Sequence, residues 1–439
     1  MNLLFQDITL LDEHFCIQEH YDLEVADGYI KQMGPTGSFT PQPGCQRYAG
    51  QHRLLLPGLY NIHTHLAMNL LRGYAENMKL QDWLFTKIFP FEAQLDSEAI
   101  YWGAMLGIAE AIRFGTVAAT DMYMDVNAIC QAATDSGFQI NASLMAPVQK
   151  PENPTQEFPF YGAEAIRTQY HQSAQGRIRI DAAIHAEYTT EPEFVSQMAA
   201  YAQEHQLQMH LHLSETKLEH EECKQRRNGK TPAAYFASLG VFQVPTTAAH
   251  CVWIDEEDQA ILKKYGVTIA SCPVSNLKLA SGICPATTSL AQGIRIGLGT
   301  DSVSSNNSLN LWEEIKLFAL LHKNASGDPT AITPQEAIAA ATYHGAQSQG
   351  RTNSGLLKPG YQADCIVLDI DQPHWYPRHN LFHNLIFSAQ GSDVVLTMVQ
   401  GNILYQDGQY TTIDIEKTIY EAEKQKDYVL QRLANANQS

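Results

Sequence analysis

Nowhere in its 439 residues does this chain carry an apolar run of 18 or more, nor a basic start followed by an apolar stretch. Neither a membrane-spanning helix nor a secretory signal is expected. Cations are scarce: 29 Lys and Arg stand against 47 Asp and Glu, for a net charge of −18. That balance speaks against nucleic acid or an anionic membrane surface as a partner, since both are polyanions. The eight cysteines are scattered and form no CxxC pair. Buried, reduced thiols in the cytoplasm fit that pattern better than a disulfide framework. A glycine-rich phosphate turn after the first strand, which a doubly wound nucleotide-binding sheet would want, is missing too.

What is present is a large apolar content, 44% of residues, enough for one big domain and a smaller companion. Residues 1–57 alternate apolar and polar in "LLFQDITLLD" and "YDLEVADGYIKQMG", with Asp27-Gly28 as a turn between strands. From residue 58 the rhythm changes. Helical stretches such as "LDSEAIYWGAMLGIAEAIRFG" (95–115), with Asp96 or Ser97 as its cap, alternate with short apolar strands. Eight strand candidates follow one another: 53–65, 116–123, 138–146, 177–186, 207–215, 246–253, 267–275 and 294–302. Eight strands alternating with helices predict a (β/α)8 barrel. After it, 355–371 and 394–410 return to short β elements. The β segments of both chain ends are expected to join in one small β-sandwich. The expected organisation is residues 1–57 with 355–413 as sandwich, 58–354 as barrel and 414–439 as a closing helix.

In such a barrel, functional groups belong at the C-terminal ends of the strands. The polar outliers of this chain fall there. His63 and His65 end strand one, in "PGLYNIHTHLAMNLLRG", and strand alternation turns both to one face. His185 ends strand four. His210 and His212 lie in strand five, with Glu215 three residues further on. His250 ends strand six and Asp301 ends strand eight. A satisfied core does not need so many converging polar groups, because each costs free energy unless paired. Imidazoles and a carboxylate suit a borderline divalent cation, and His63, His65, His212 and Asp301 meet that requirement. His210 shares a face with His212 but sits deeper, so His212 is favoured as ligand and His210 as its support.

These segments, together with "HLHLSET", "SCPVSNLKLASG" and "GLGTDSVSSNN", resemble the amidohydrolase superfamily. More narrowly, they look like its 5-methylthioadenosine/S-adenosylhomocysteine deaminase branch, a neighbour of triazine chlorohydrolases and guanine deaminases. The resemblance implies a (β/α)8 barrel of amidohydrolase type and hydrolytic deamination of an adenine nucleoside. It assigns metal ligation to His63, His65, His212 and Asp301, and catalysis to Glu215, His250 and Asp301. Substrate contacts would fall on Glu92, His185, Glu215 and Trp83. Relatives with two metals bridge them by a carboxylated lysine at the end of strand four. "IDAAIHAEY" has none, so one divalent ion is implied, zinc foremost, with iron or manganese as alternatives. The implied partner is a small purine nucleoside, and homo-oligomerisation is left open.

The chain departs from the branch in two places. Members that take adenosylhomocysteine hold its carboxylate with an arginine after strand three, but "NASLMAPVQK" offers only Lys150. A lysine is a point charge and not a bidentate fork, which favours a neutral tail, as in methylthioadenosine or adenosine. "HAEYT" also carries Glu187 where a proline is more usual. Two rival readings keep the fold: a guanine, 8-oxoguanine or pterin deaminase or a triazine-type chlorohydrolase on the same metal site, and a scaffold that has lost catalysis.

Overall fold

The computed structural model describes residues 2–145 and 162–436. Lys150, the cation noted after strand three, lies outside the described residues.

Eight parallel strands form the central sheet: Leu59–Thr64, Thr116–Asp121, Gln139–Met145, Ile178–Ile184, Met209–Leu213, Thr246–His250, Thr268–Ser271 and Ile296–Leu298. They follow one another in chain order. The first and last are drawn together by a bridge between Thr64 and Asp301 and by the Asp301 amide, which donates to the His63 carbonyl at 3.0 Å. The result is the expected (β/α)8 barrel. Its strands are almost wholly buried, which is why they read as largely apolar runs. Asp96 caps the helix Ser97–Arg113 by accepting from the Ala99 amide at 3.0 Å.

Both chain ends meet in a second, nine-stranded mixed sheet. Its keystone is Arg53–Pro57. That strand runs parallel to Leu3–Leu11 and antiparallel to Cys365–Asp369, placing Leu55 opposite Val367. Leu3, Phe5, Leu23, Leu55, Val367 and Leu396 share a core separate from that of the barrel. Asp27 and Gly28 have φ of 52° and 85° and make the turn their sequence predicts, with Ala26 paired to Tyr29.

One expectation is corrected. The stretch 53–65 is not a single strand but two, in different sheets. The chain breaks at Gly58, whose amide donates to the Asp364 carbonyl at 2.9 Å. A Cβ there would lie 2.3 Å from Val117, so only glycine lets the two sheets approach at this point. The closing helix Ile415–Ala436 buries Thr418, Ala422, Gln425 and Val429, a stripe of helical spacing laid against Ser97–Arg113.

Candidate metal centre and active site

Barrel strands one, five, six and eight deliver their polar ends to one mouth. The His63 ring centre lies 5.0 Å from that of His65, 4.8 Å from His212 and 5.2 Å from His250. Ligand nitrogens of His63, His65 and His212 fall within 4.8 Å of one another, as do donor atoms of His63, His250 and Asp301. Gly299 makes room for this crowding: a Cβ there would stand 2.7 Å from the Cβ of His63.

Hydrogen bonds on the far side of each ring set its orientation. His65 Nδ1 donates to the Met122 carbonyl at 2.6 Å, and His212 Nδ1 donates to the His185 carbonyl at 2.6 Å. Both rings therefore turn Nε2 toward the mouth. His63 Nδ1 and His210 Nε2 share a hydrogen bond of 2.9 Å, and Ser143 backs His210 in turn. His210 thus stands beneath the centre, as its deeper position suggested. His250 Nδ1 meets Asn276 Oδ1 at 2.9 Å, which leaves its Nε2 free as an acceptor. Asp301 is clamped through Oδ2, which accepts from Ser275 Oγ at 2.6 Å and Ser305 Oγ at 2.8 Å. Its Oδ1 faces His65 Nε2 at 3.2 Å and His63 Nε2 at 3.5 Å.

Electrostatics agree with a cation site. Burial pushes the His63 imidazole down to about 3, so it is neutral at pH 7. Burial also disfavours a charge on His65, but the Asp301 carboxylate outweighs it and raises that ring to about 9. His63 Nε2 is fully buried and makes no hydrogen bond. An orphaned lone pair in the core costs about 1–3 kcal/mol, and a divalent ion at this point would satisfy it together with His65, His212 and Asp301. The residues present fit such an ion. The backbone reflects the same demand: Ser214, His250 and Asp301 have φ of 47°, 69° and 61°, a strained left-handed region for side chains other than glycine.

A cavity of about 780 Å³ opens from this mouth, bordered by His65, His185, His212, Glu215, His250 and Asp301. Glu215 lies just past strand five, its Oε2 3.8 Å from His250 Nε2. Burial raises its carboxyl above the ordinary value, and the approach of His250 partly offsets this. Trp83 and Glu92, from the segment after strand one, line the same cavity. The indole Nε1 of Trp83 donates to the Ala75 carbonyl at 3.3 Å. Burial pushes the Glu92 carboxyl up to about 7. His185 stands against His212, ring centres 4.8 Å apart, and burial lowers it to about 4. Every residue predicted for the site borders the cavity except His63, which forms the floor beneath it.

Sequence reasoning passed over several groups. Ser275, Asn276 and Ser305 lie in quoted motifs, yet nothing in their spacing announced that they would grip Asp301 and His250. Glu219 was also missed; its carboxylate accepts from the backbone amides of Ser214 at 3.1 Å and Glu215 at 2.7 Å. Glu187 is fully buried and binds Arg226 at 2.7 Å and Arg227 at 2.5 Å, and both arginines reach the cavity. The acidic replacement in "HAEYT" is therefore the anchor of an ion-pair cluster.

The chain belongs to the amidohydrolase family, whose pattern matches residues 54–404. It is a hydrolase of carbon–nitrogen bonds outside peptides. The 5-methylthioadenosine/S-adenosylhomocysteine deaminase of Dictyoglomus thermophilum is 41% identical over 97% of this chain and 98% of its own. Among solved structures, a zinc-bound adenosine deaminase from Xanthomonas campestris superposes with a TM-score of 0.92 at 26% identity, covering 98% of both chains. The atrazine chlorohydrolase of Arthrobacter aurescens TC1 reaches 0.88 at 21% identity over 97% of this chain and 100% of its own, a likeness of fold alone. Among the described residues, no helix is long and apolar enough to cross a membrane.

Proposed function

We propose that this protein hydrolytically deaminates an adenine nucleoside, with 5′-methylthioadenosine as the leading substrate and S-adenosylhomocysteine and adenosine as further ones. The observation that carries the reading is Glu215: a buried carboxyl just beyond the His212 position, facing His250 across 3.8 Å at the mouth that gathers four histidines and Asp301. The names of relatives that match nearly the full chain support the substrate class.

His63, His65, His212 and Asp301 would hold one divalent ion, zinc foremost. When bound, such an ion supplies a water acidified to a pKa of about 7 as the nucleophile. The chain's own groups move the protons. Glu215 takes one from the attacking water and delivers it to the ring nitrogen beside the amine-bearing carbon, so no negative charge accumulates on the ring. His250 Nε2 accepts a hydrogen bond from that water and orients it, its tautomer held by Asn276. Asp301, clamped through one oxygen by two serines, carries the second proton to the departing amine through the other. Water adds to the carbon, the carbon–nitrogen bond breaks, and ammonia leaves with the inosine analogue as product. Glu92 accepts from ribose hydroxyls when ionised. Trp83 walls the base and His185 contacts it.

The test is a panel with ammonia detection: methylthioadenosine, adenosylhomocysteine, adenosine, guanine and pterin, with chloride release from a triazine in parallel. The nucleosides are expected to be turned over. Ammonia from guanine or pterin, or chloride from the triazine, without turnover of any nucleoside, would overturn the proposal.

A further inference from the structure

Glu215 sits on the short turn between strand five and the helix Lys217–Arg226, and His250 approaches its carboxylate only to 3.8 Å, longer than a hydrogen bond. The turn itself is gripped by Glu219. Oε1 of Glu219 accepts from the Ser214 amide at 3.1 Å, and Oε2 accepts from the Glu215 amide at 2.7 Å. Ser214 is fully buried with φ of 47°, a left-handed conformation that costs a serine free energy and persists only with support from its surroundings. On the other side of the turn, the Ser214 carbonyl accepts from the Val252 amide at 3.1 Å and the Trp253 amide at 3.0 Å. Those residues follow His250 in the chain. The turn that carries Glu215 is thereby tied to the loop that carries His250.

Glu219 is the third helical residue after the cap Thr216, whose Oγ1 accepts from the Glu219 amide at 3.2 Å, so a helix-capping box is its plain reading. A capping box asks only for a bond back to the cap amide, and glutamine makes that bond as well as glutamate. Here the Thr216 amide is the most distant of the three, at 3.5 Å, and the shorter bonds go to the two residues before it. The acid is also costly in this place. Burial pushes the Glu219 carboxyl up to about 7, with the neighbouring Glu215 adding to the rise and the amides of Glu215 and Thr216 opposing it. Setting a second acid beside the first is a poor way to cap a helix. It is a good way to fix two successive amides, because the two oxygens of a carboxylate offer an acceptor to each.

Resting on the proton-transfer role of Glu215 above, we infer that Glu219 is a positioning residue for the reaction: its carboxylate fixes the peptide between Ser214 and Glu215 and so aims Glu215 between the attacking water and the substrate ring. It acts through Glu215, not on the substrate and not through the metal. Without it the turn relaxes from the left-handed conformation at Ser214, and Glu215 keeps its chemistry but loses its place.

The test follows methylthioadenosine deamination on the metal-loaded enzyme. E219Q keeps the size of the side chain but turns N–H donors toward one of the two backbone amides. It should lower kcat roughly 10- to 100-fold, the worth of one or two charged hydrogen bonds, with KM and metal content unchanged. E219D, which draws the carboxylate back from both amides, gives the same comparison should E219Q fail to fold. T216V removes the helix cap and leaves both amides within reach of Glu219. It should lower the melting temperature and leave kcat within a few-fold of wild type. The deciding variant is E215Q/E219Q, whose turnover should be no lower than that of E215Q alone, since a residue that acts through Glu215 then has nothing left to position. A wild-type kcat in E219Q, a loss carried by KM or by metal content, a T216V enzyme as slow as E219Q, or the full loss repeated in the E215Q background would each overturn the positioning role while leaving Glu215 as the proton carrier. Wild-type turnover in E215Q removes the proton-transfer reading, and the role of Glu219 with it.

Discussion

Asn276 offers the sharpest probe of how the second layer of the site acts. Its Oδ1 accepts from His250 Nδ1 at 2.9 Å, and both residues are buried. The bond selects the tautomer in which Nε2, the nitrogen facing Glu215, is unprotonated. In N276A that selection is gone and a buried N–H has no acceptor, a penalty of about 1–3 kcal/mol. If the same energy sets the tautomer ratio, the competent form falls by roughly 10- to 100-fold, and kcat should follow. N276D keeps an acceptor in place and strengthens it, so it should recover most of the loss. The assay is ammonia release from methylthioadenosine at saturating substrate, with metal content measured on each variant. Loss in N276A with normal metal and rescue in N276D is the expected pattern. A wild-type rate in N276A, or an equal loss in N276D with metal retained, would refute the role of His250 Nε2 as an acceptor held by Asn276.

Three further outcomes follow from the same geometry. Glu215→Gln should retain its metal and lose roughly 10²- to 10⁴-fold in turnover, the usual worth of a positioned proton carrier; wild-type turnover would remove Glu215 from proton transfer. His63→Ala should lower metal affinity, read by competition with a chelator, and undiminished affinity would count against His63 as a ligand. Glu314 is fully buried, where burial pushes its carboxyl up to about 8, and it accepts from the Val274 amide at 3.1 Å and Asn306 Nδ2 at 2.7 Å. An acid raised in the folded state favours folding below its unfolded value and loses that contribution as pH rises through the folded one. The wild type should therefore shed stability between about pH 5 and 8, at up to about 1.4 kcal/mol per pH unit. Glu314→Gln should flatten that slope in denaturant melts, and an unchanged slope would show that Glu314 does not titrate there.

The barrel was legible because its strands are buried on both sides and its chemistry sits at their ends. "NIHTH" and "HLHLSE" announce themselves as polar groups breaking apolar runs, and alternation says which share a face. The division at Gly58 was missed although Pro57-Gly58 interrupts the run from Leu54 to Ile62, because the approach of Val117 and Asp364 that separates the two sheets is a tertiary contact. Asn276 and Ser275 escaped notice for another reason: a polar residue opening a short helix looks like any other, and its partner lies 26 residues away. Glu187 could be seen as unusual but not explained, because Arg226 and Arg227 meet it only through the packing of the strand-five helix over the strand-four loop.

The central claim is that one divalent ion at His63, His65, His212 and Asp301 supports deamination of an adenine nucleoside. It is tested most directly by stripping the protein with a chelator and titrating zinc back, with metal analysis and ammonia release from methylthioadenosine followed together. Activity should vanish in the stripped protein and return in full at one equivalent of metal per chain. Undiminished turnover in the stripped protein, or activity that rises only with a second equivalent, would contradict the account.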